Sequence, residues 1–220
     1  MKINADLDLP FEKVTAFITQ KRNGVDSLLV FKHPNAGIQI PAGSVEVGEA
    51  IEKAAIREAQ EETGLKELMC QQYLGCIENE LDEQERLISE STEVYIKPDQ
   101  NAITFKDKLT RGLTVIFHSS TTDFTHVTYF EYDQFPNPSY IAYNVSGWVP
   151  NGCINNQKKR HFFLLSTTDE TEDRWELKSD MNHIFQPFWI PISPKPDIVY
   201  PQNRWLDFVY EKILSYRHES

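Results

Sequence analysis

A chain of strands and helices, interrupted by a long stretch of strands alone, is what this 220-residue sequence predicts. Three observations predict it. β-branched and aliphatic runs open the chain, an Ala- and Glu-rich segment without Gly or Pro follows and stops at a glycine, and about 70 residues further on hold only short β-type runs broken by Pro, Asn, Asp and Gly.

Each element can be justified in order. KVTAFITQ (13–20) and DSLLVFKH (26–33) flank KRNGV, whose Asn23-Gly24 pair suits a hairpin turn that needs positive φ. IQI (38–40) is a short strand ended by Pro41. AIEKAAIREAQEE then reads as a helix of roughly 13 residues, because Gly64 stands where a C-terminal cap wants a left-handed residue. A return strand is expected over 69–74, and IENELDEQERLISE (77–90) reads as linker or a short helix. STEVYIKPD, NAITF, RGLTVIFH, HVTYFEYD, YIAYNV and GWVP are the β-type runs. KKRHFFLLSTT (158–168) and HIFQPFWIPIS (183–193) look like core strands on either side of the acidic loop DETED. Trp205, Leu206, Val209 and Ile213 recur at helical spacing, so the C-terminal segment should be an amphipathic helix laid on the sheet. This gives a main domain in two parts, 1–85 and 157–220, with an inserted β-rich module at 86–156.

The bulk properties exclude several partners. A net charge of −11 and a pI near 5.0 argue against a phosphate-backbone surface, which needs Lys and Arg to release counterions. Cys70, Cys76 and Cys153 are odd in number and lack the close pairing of a structural zinc site, so reduced thiols are expected. No basic head followed by an apolar run opens the chain, and no apolar run is long enough to span a bilayer. A soluble, cytoplasmic protein with no membrane partner is the expectation.

The chemistry concentrates in REAQEETG, residues 57–64. Glu58, Glu61 and Glu62 stand at i, i+3 and i+4, which brings their carboxylates within an arc of roughly 100° on adjacent turns. Acids so placed either raise one another's pKa or hold a cation. Oxygen-only ligands select hard cations, so Mg²⁺, with Mn²⁺ in its place, is the expected cofactor. Arg57 lies four residues before Glu61 and can brace it. Before the helix, the Gly43 loop can approach the acids because Ala54 and Ala55 are small, and it offers backbone N–H groups suited to a phosphate oxygen. A solvated acidic helix face is the plainer alternative for such a charge run.

Gly43, Glu49, Arg57, Glu58, Glu61, Glu62, Gly64 and Leu65 resemble the Nudix box, G-x(5)-E-x(7)-R-E-U-x-E-E-x-G-U, with Ala59 where a bulkier aliphatic residue is usual. The flanking order of hairpin, short strand, helix, return strand, RHFFLL, FWIPI and closing helix is similar to that family over roughly 10–80 and 157–216. The resemblance implies an α/β fold, an α/β/α sandwich with a mixed sheet, and Mg²⁺-dependent hydrolysis of a nucleoside diphosphate linked to another moiety. It implies that Glu58 and Glu62 are the principal metal ligands and that Glu61 is a further ligand or the water-activating base. It also implies that Glu49 and Arg57 hold loop and helix in register, and that the Gly43 backbone faces metal or phosphate. Glu172, Glu176 and His183 are outside candidates for the base.

The linked moiety stays open. PAG in place of PGG resembles members acting on sugar-nucleotide diphosphates, but Glu80 and Leu81 stand where a Pro or Tyr would mark that subgroup. Trp148, Tyr140, Phe162 and Trp175 are aromatic enough to stack a base, or to be plain core. RGLTVIFH, HVTYFEYD and GWVP resemble bacterial Src-homology-three-like barrels, which implies a lid, an interaction surface or a homodimer contact; an extended β-meander is the alternative. A non-catalytic nucleotide-binding or regulatory protein acting through that module is the second functional class.

Overall fold

The computed structural model describes residues 9–34, 36–178 and 184–219. By its internal contacts the chain divides into two compact units. One holds Ile77–Asp133 and Pro138–Lys159 with the chain up to Glu12, and the other holds Lys13–Cys76, Gln134–Asn137 and Arg160–Ser220.

In chain order the elements are β1 (Phe11–Arg22), β2 (Val25–His33), β3 (Gly37–Gln39), β4 (Ala42–Ser44), α1 (Ile51–Thr63), β5 (Leu68–Ile77) and β6 (Glu85–Ile88). They continue with β7 (Thr114–Ser120), β8 (Phe124–Tyr132), β9 (Ile141–Pro150), a single 3₁₀ turn (Asn151–Cys153), β10 (Ile154–Asn155), β11 (Lys158–Thr167), β12 (Leu177–Lys178), β13 (Ile184–Pro191) and α2 (Gln202–Glu219). Eight strands form the main sheet in the order β12-β13-β2-β1-β11-β5, with β3 on β2 and β4 on β1. The fold is α/β, a mixed sheet with two helices.

Alternation on the central strands shows why both faces of this sheet are covered. Val14, Ala16 and Ile18 of β1, with Phe163 and Leu165 of β11, pack against Ala54, Ala55 and Ala59 of α1. On the opposite side of β11, the Phe162 ring lies 5.4 Å from Phe208 of α2, and Arg160 stacks at 3.8 Å over Trp205. The helices therefore sit on opposite faces. Ala59 is fully buried within this core.

The first hairpin closes on two residues, Asn23 at φ 50° and Gly24 at φ 81°, with Arg22 opposite Val25. Both positive φ values match the turn that a right-twisted hairpin favours. α1 ends where Gly64 takes φ 76° and donates its N–H to Gln60 O at 2.8 Å.

The other unit carries a five-stranded sheet, β10-β6-β7-β8-β9, over a core of Ile88, Val94, Leu109, Val115, Val127, Val145 and Val149. Two expectations need correction here. Residues 85–88 are a strand, not linker or helix, because Leu87 and Ile88 are buried between β7 and β10. STEVYIKPD and NAITF form no strands and meet their neighbours only through isolated bridges, Thr92 to Leu109 and Tyr95 to Thr104 and Trp148. YIAYNV and GWVP join into the single strand β9. The three cysteines are unpaired. Among the described residues no helix is long and apolar enough to cross a membrane.

Candidate active site

The site is built by α1 and the β4 strand that runs beside it. Ala42 N donates to Glu62 Oε2 at 2.9 Å, and Ser44 N donates to Glu58 Oε1 at 3.1 Å. Two box acids therefore grip the backbone on either side of Gly43. A side chain here would displace the acid: a Cβ at position 43 would lie 1.9 Å from the Glu58 carboxyl carbon. Gly43 itself pairs with Val14 in the β4–β1 ladder.

Arg57 ties the loop and the helix together. Its Nε and Nη2 reach the two oxygens of Glu49, each at 2.9 Å, which is the planar fork-to-fork geometry available only to arginine. Nη1 donates to Glu58 Oε1 at 2.9 Å and to Glu61 Oε2 at 3.2 Å, and Nη2 also donates to Ser44 O at 2.9 Å. Glu49 closes the turn before the helix, taking an N–H from Glu46 at 3.0 Å on its Oε2. The resemblance implies that Glu49 and Arg57 hold loop and helix in register, and spacing gives the relation to Glu61; the contacts of Arg57 to Glu58 and to Ser44 O have no signal in the sequence.

Charge states follow from this geometry. The Arg57 hydrogen bonds hold Glu49 below the usual carboxylate range, and the same bonds raise Arg57 itself. Burial pushes Glu58 up, opposed by its bond to Arg57. Glu62 is pushed up to about 8, first by burial of its carboxyl, against the Ala42 N–H, and with help from the charges of Glu58 and Glu61.

The three acids do not share one volume. Glu58 and Glu62 turn inward, whereas the Glu61 side chain is 58% exposed and pairs with Arg57 at 3.2 Å. Among the described residues no three His, Cys, Asp or Glu side chains group closely enough to form a ready ion site.

A cavity of about 370 Å³ opens at the carboxyl end of α1, lined by Gly64, Leu65, Lys66, Thr171, Glu172 and Trp175 among others, and none of the three box acids lines it. Its wall is the acidic loop after β11. Asp169 Oδ2 accepts the N–H groups of Lys66 (2.6 Å) and Glu67 (3.1 Å), Arg22 Nη2 donates to Thr171 O (2.9 Å), and Trp175 Nε1 donates to Thr63 O (2.7 Å). Of the outside candidates, Glu172 borders this cavity, Glu176 accepts from Gln186 at 3.3 Å, and His183 lies outside the described residues. Phe162 is fully buried and closed to a stacking ligand; Tyr140 is 64% exposed. Trp148 stands 5.0 Å from the His126 ring.

An acid-bearing helix tied to the loop before it by an arginine fork, on a mixed sheet covered by two helices, is an arrangement of the α/β class. A family model, the NUDIX domain, matches residues 10–142, and the chain belongs to the Nudix family of hydrolases. Fifteen chains of solved structures also match. Among them is a crystal structure of C. elegans Ap4A hydrolase, 16% identical, covering 94% of this chain and 99% of that one, with a TM-score of 0.39. No curated protein matches.

Proposed function

We propose that this chain is a Mg²⁺-dependent pyrophosphohydrolase that cleaves the diphosphate bond of a nucleoside diphosphate linked to another moiety, with Mn²⁺ able to substitute. One observation supports the reading: Glu58 and Glu62 are bonded to the backbone on the two sides of Gly43, where the absent side chain leaves the Glu58 carboxylate room. The donor set fits a hard divalent cation, since it consists of carboxylate oxygens alone. It would be held by Glu58 and Glu62, with Glu61 able to swing in from solvent as a third ligand. When bound, such an ion lowers the pKa of a coordinated water and neutralises charge on the cleaved diphosphate.

The chain's own residues do the rest. Arg57 fixes the Glu58 carboxylate and, through Ser44 O and Glu49, keeps the strand at its distance from the helix. Glu61 would accept a proton from the attacking water, a role supported by its 58% exposure beside Arg57. Gly43 would meet the substrate through its bare backbone, with Glu49 and its bonds to Arg57 bracing the loop that carries it. The overall change is addition of water across one P–O–P linkage, giving two phosphate-bearing products. A cytoplasmic location accords with three unpaired thiols.

The test is a panel of nucleoside diphosphate derivatives incubated with Mg²⁺ and followed by ³¹P NMR. Mg²⁺-dependent appearance of phosphomonoester signals, lowered about 100-fold or more in Glu62→Gln, is expected. Full turnover in Glu62→Gln would overturn the assignment of that residue. Tight binding without any cleavage across the panel would favour a regulatory protein instead.

A further inference from the structure

The five-stranded unit contains a second cavity, of about 370 Å³, lined by Arg86, Phe117, Ser120, Asn151, Ile154 and Asn156, with Thr125 beneath. From its geometry we infer that this cavity binds a small-molecule oxyanion, a phosphate or carboxylate group, through the guanidinium of Arg86.

The cavity is built by an interruption in the sheet. β7 pairs with β8 through Phe117 opposite Val127 and Ser120 opposite Thr125, with a bulge between Phe117 and Ser119. Unbroken alternation would send Phe117 and Ser120 to opposite faces. The extra residue turns both to one face, the re-aiming that bulges accomplish beside binding sites. The floor is then fixed by Asn151, whose amide donates to Thr121 O (3.1 Å) and Thr122 O (3.0 Å) while its oxygen accepts from Thr125 Oγ1 at 2.7 Å. That amide is fully engaged and serves as structure.

Arg86 is held ready. Its Nη1 donates to Glu83 O at 2.8 Å and to Glu85 O at 2.6 Å, and its guanidinium lies 4.6 Å over the Phe117 ring. Those contacts fix the plane of the group and use one nitrogen. Nε and Nη2, which make the edge suited to a bidentate oxyanion, have no hydrogen-bond partner among the described residues. Arg86 has no carboxylate partner there either, although the chain holds 33 acids against 22 Lys and Arg. Among the described residues no acid lines the cavity. The remaining side-chain donors at its rim are the Ser120 hydroxyl and the Asn156 amide, so the lining offers donors and one positive charge to a negatively charged group. Ile154 supplies an apolar wall for whatever the anion is attached to.

Arginine Nε–H resonances of the full-length protein provide the test, recorded in EDTA at constant ionic strength during separate titrations with inorganic phosphate and with acetate. EDTA removes divalent ions, so the signal is independent of the box acids. A saturable shift of the Arg86 Nε–H with at least one probe is expected, in the millimolar range for an anion lacking its appended group. The probe that saturates at lower concentration identifies phosphate or carboxylate chemistry. Arg86→Lys, followed through the Asn156 side-chain amide because the Arg86 Nε–H is gone, keeps the charge but lacks the fork and should weaken binding about tenfold. Asn156→Asp alters an exposed residue, leaves the fold intact, and should weaken binding through like charge. Absence of a saturable shift with both probes, or unchanged binding of the better probe in Asn156→Asp and Arg86→Lys together, would overturn the inference.

Discussion

Replacing Glu62 by Gln should make the metal-free protein more stable at neutral and alkaline pH while removing its response to divalent ions. The Glu62 carboxyl is raised from 4.5 to about 8, chiefly by burial. A carboxyl whose folded pKa exceeds its unfolded value binds its proton more tightly in the native state. Its contribution is therefore complete below the unfolded pKa and is lost as pH rises through about 8. At about 1.4 kcal/mol per pKa unit, and allowing a unit of error and some solvent screening, metal-free protein should lose roughly 3 kcal/mol from this group between about pH 5 and pH 8. Glutamine is neutral throughout, and its side-chain oxygen can still accept the Ala42 N–H. Urea unfolding in EDTA, followed by tryptophan fluorescence at several pH values, gives the comparison. The two proteins should coincide near pH 4.5 and diverge to roughly 2–3 kcal/mol in favour of the variant near pH 8. Saturating Mg²⁺ should then stabilise only the wild type, since binding to the native state adds stability by mass action. Parallel pH profiles for the two proteins in EDTA would refute this account of the buried acid.

Three further outcomes follow from the same contacts. Gly43→Ala places a Cβ 1.9 Å from the Glu58 carboxyl carbon, so the acid must move; about 1–3 kcal/mol of stability and about 10- to 100-fold in Mn²⁺ affinity should be lost, read by urea unfolding and calorimetric titration. Arg57→Lys removes the fork to Glu49 and should cost about 2 kcal/mol at neutral pH. Because Glu49 is held below its ordinary value, that loss should fade as pH falls through the carboxylate range, which an acid series of unfolding curves would reveal. Asp169→Asn weakens the acceptor for the Lys66 and Glu67 N–H groups, and hydrogen exchange should speed at those two amides for about 1 kcal/mol of local stability.

What could be read from the sequence was what neighbouring residues decide. α1 was legible because no Gly or Pro interrupts it and Gly64 ends it, and the first turn because Asn-Gly accepts two positive φ values. β6 was not legible. Glu85 and Arg86 make its outer half polar, and only pairing with β7 and β10, distant in the chain, buries Leu87 and Ile88. Conversely, Ile96 and Ile103 gave a β-type signal in runs that form no strand; both are exposed, at 52% and 73%, so their apolar character reports no burial. The bulge in β7 left no mark, since TVIFHSS reads as an ordinary strand.

The site shows the same division at the level of single side chains. Helical spacing placed three acids on one broad face, but it could not say which of them the β4 backbone would claim. Measured around the helix, Glu62 lies about 40° from Glu58 on one side and Glu61 about 60° on the other. A strand passing along the first two can offer its N–H groups at Ala42 and Ser44 to both, and it leaves the third in solvent beside Arg57. The asymmetry separates what each acid can do. Two are bonded to the β4 backbone; the third is 58% exposed and reaches Arg57 at 3.2 Å. The division between two strand-bound acids and an exposed one follows from the side on which one strand runs, which no spacing rule within the helix contains.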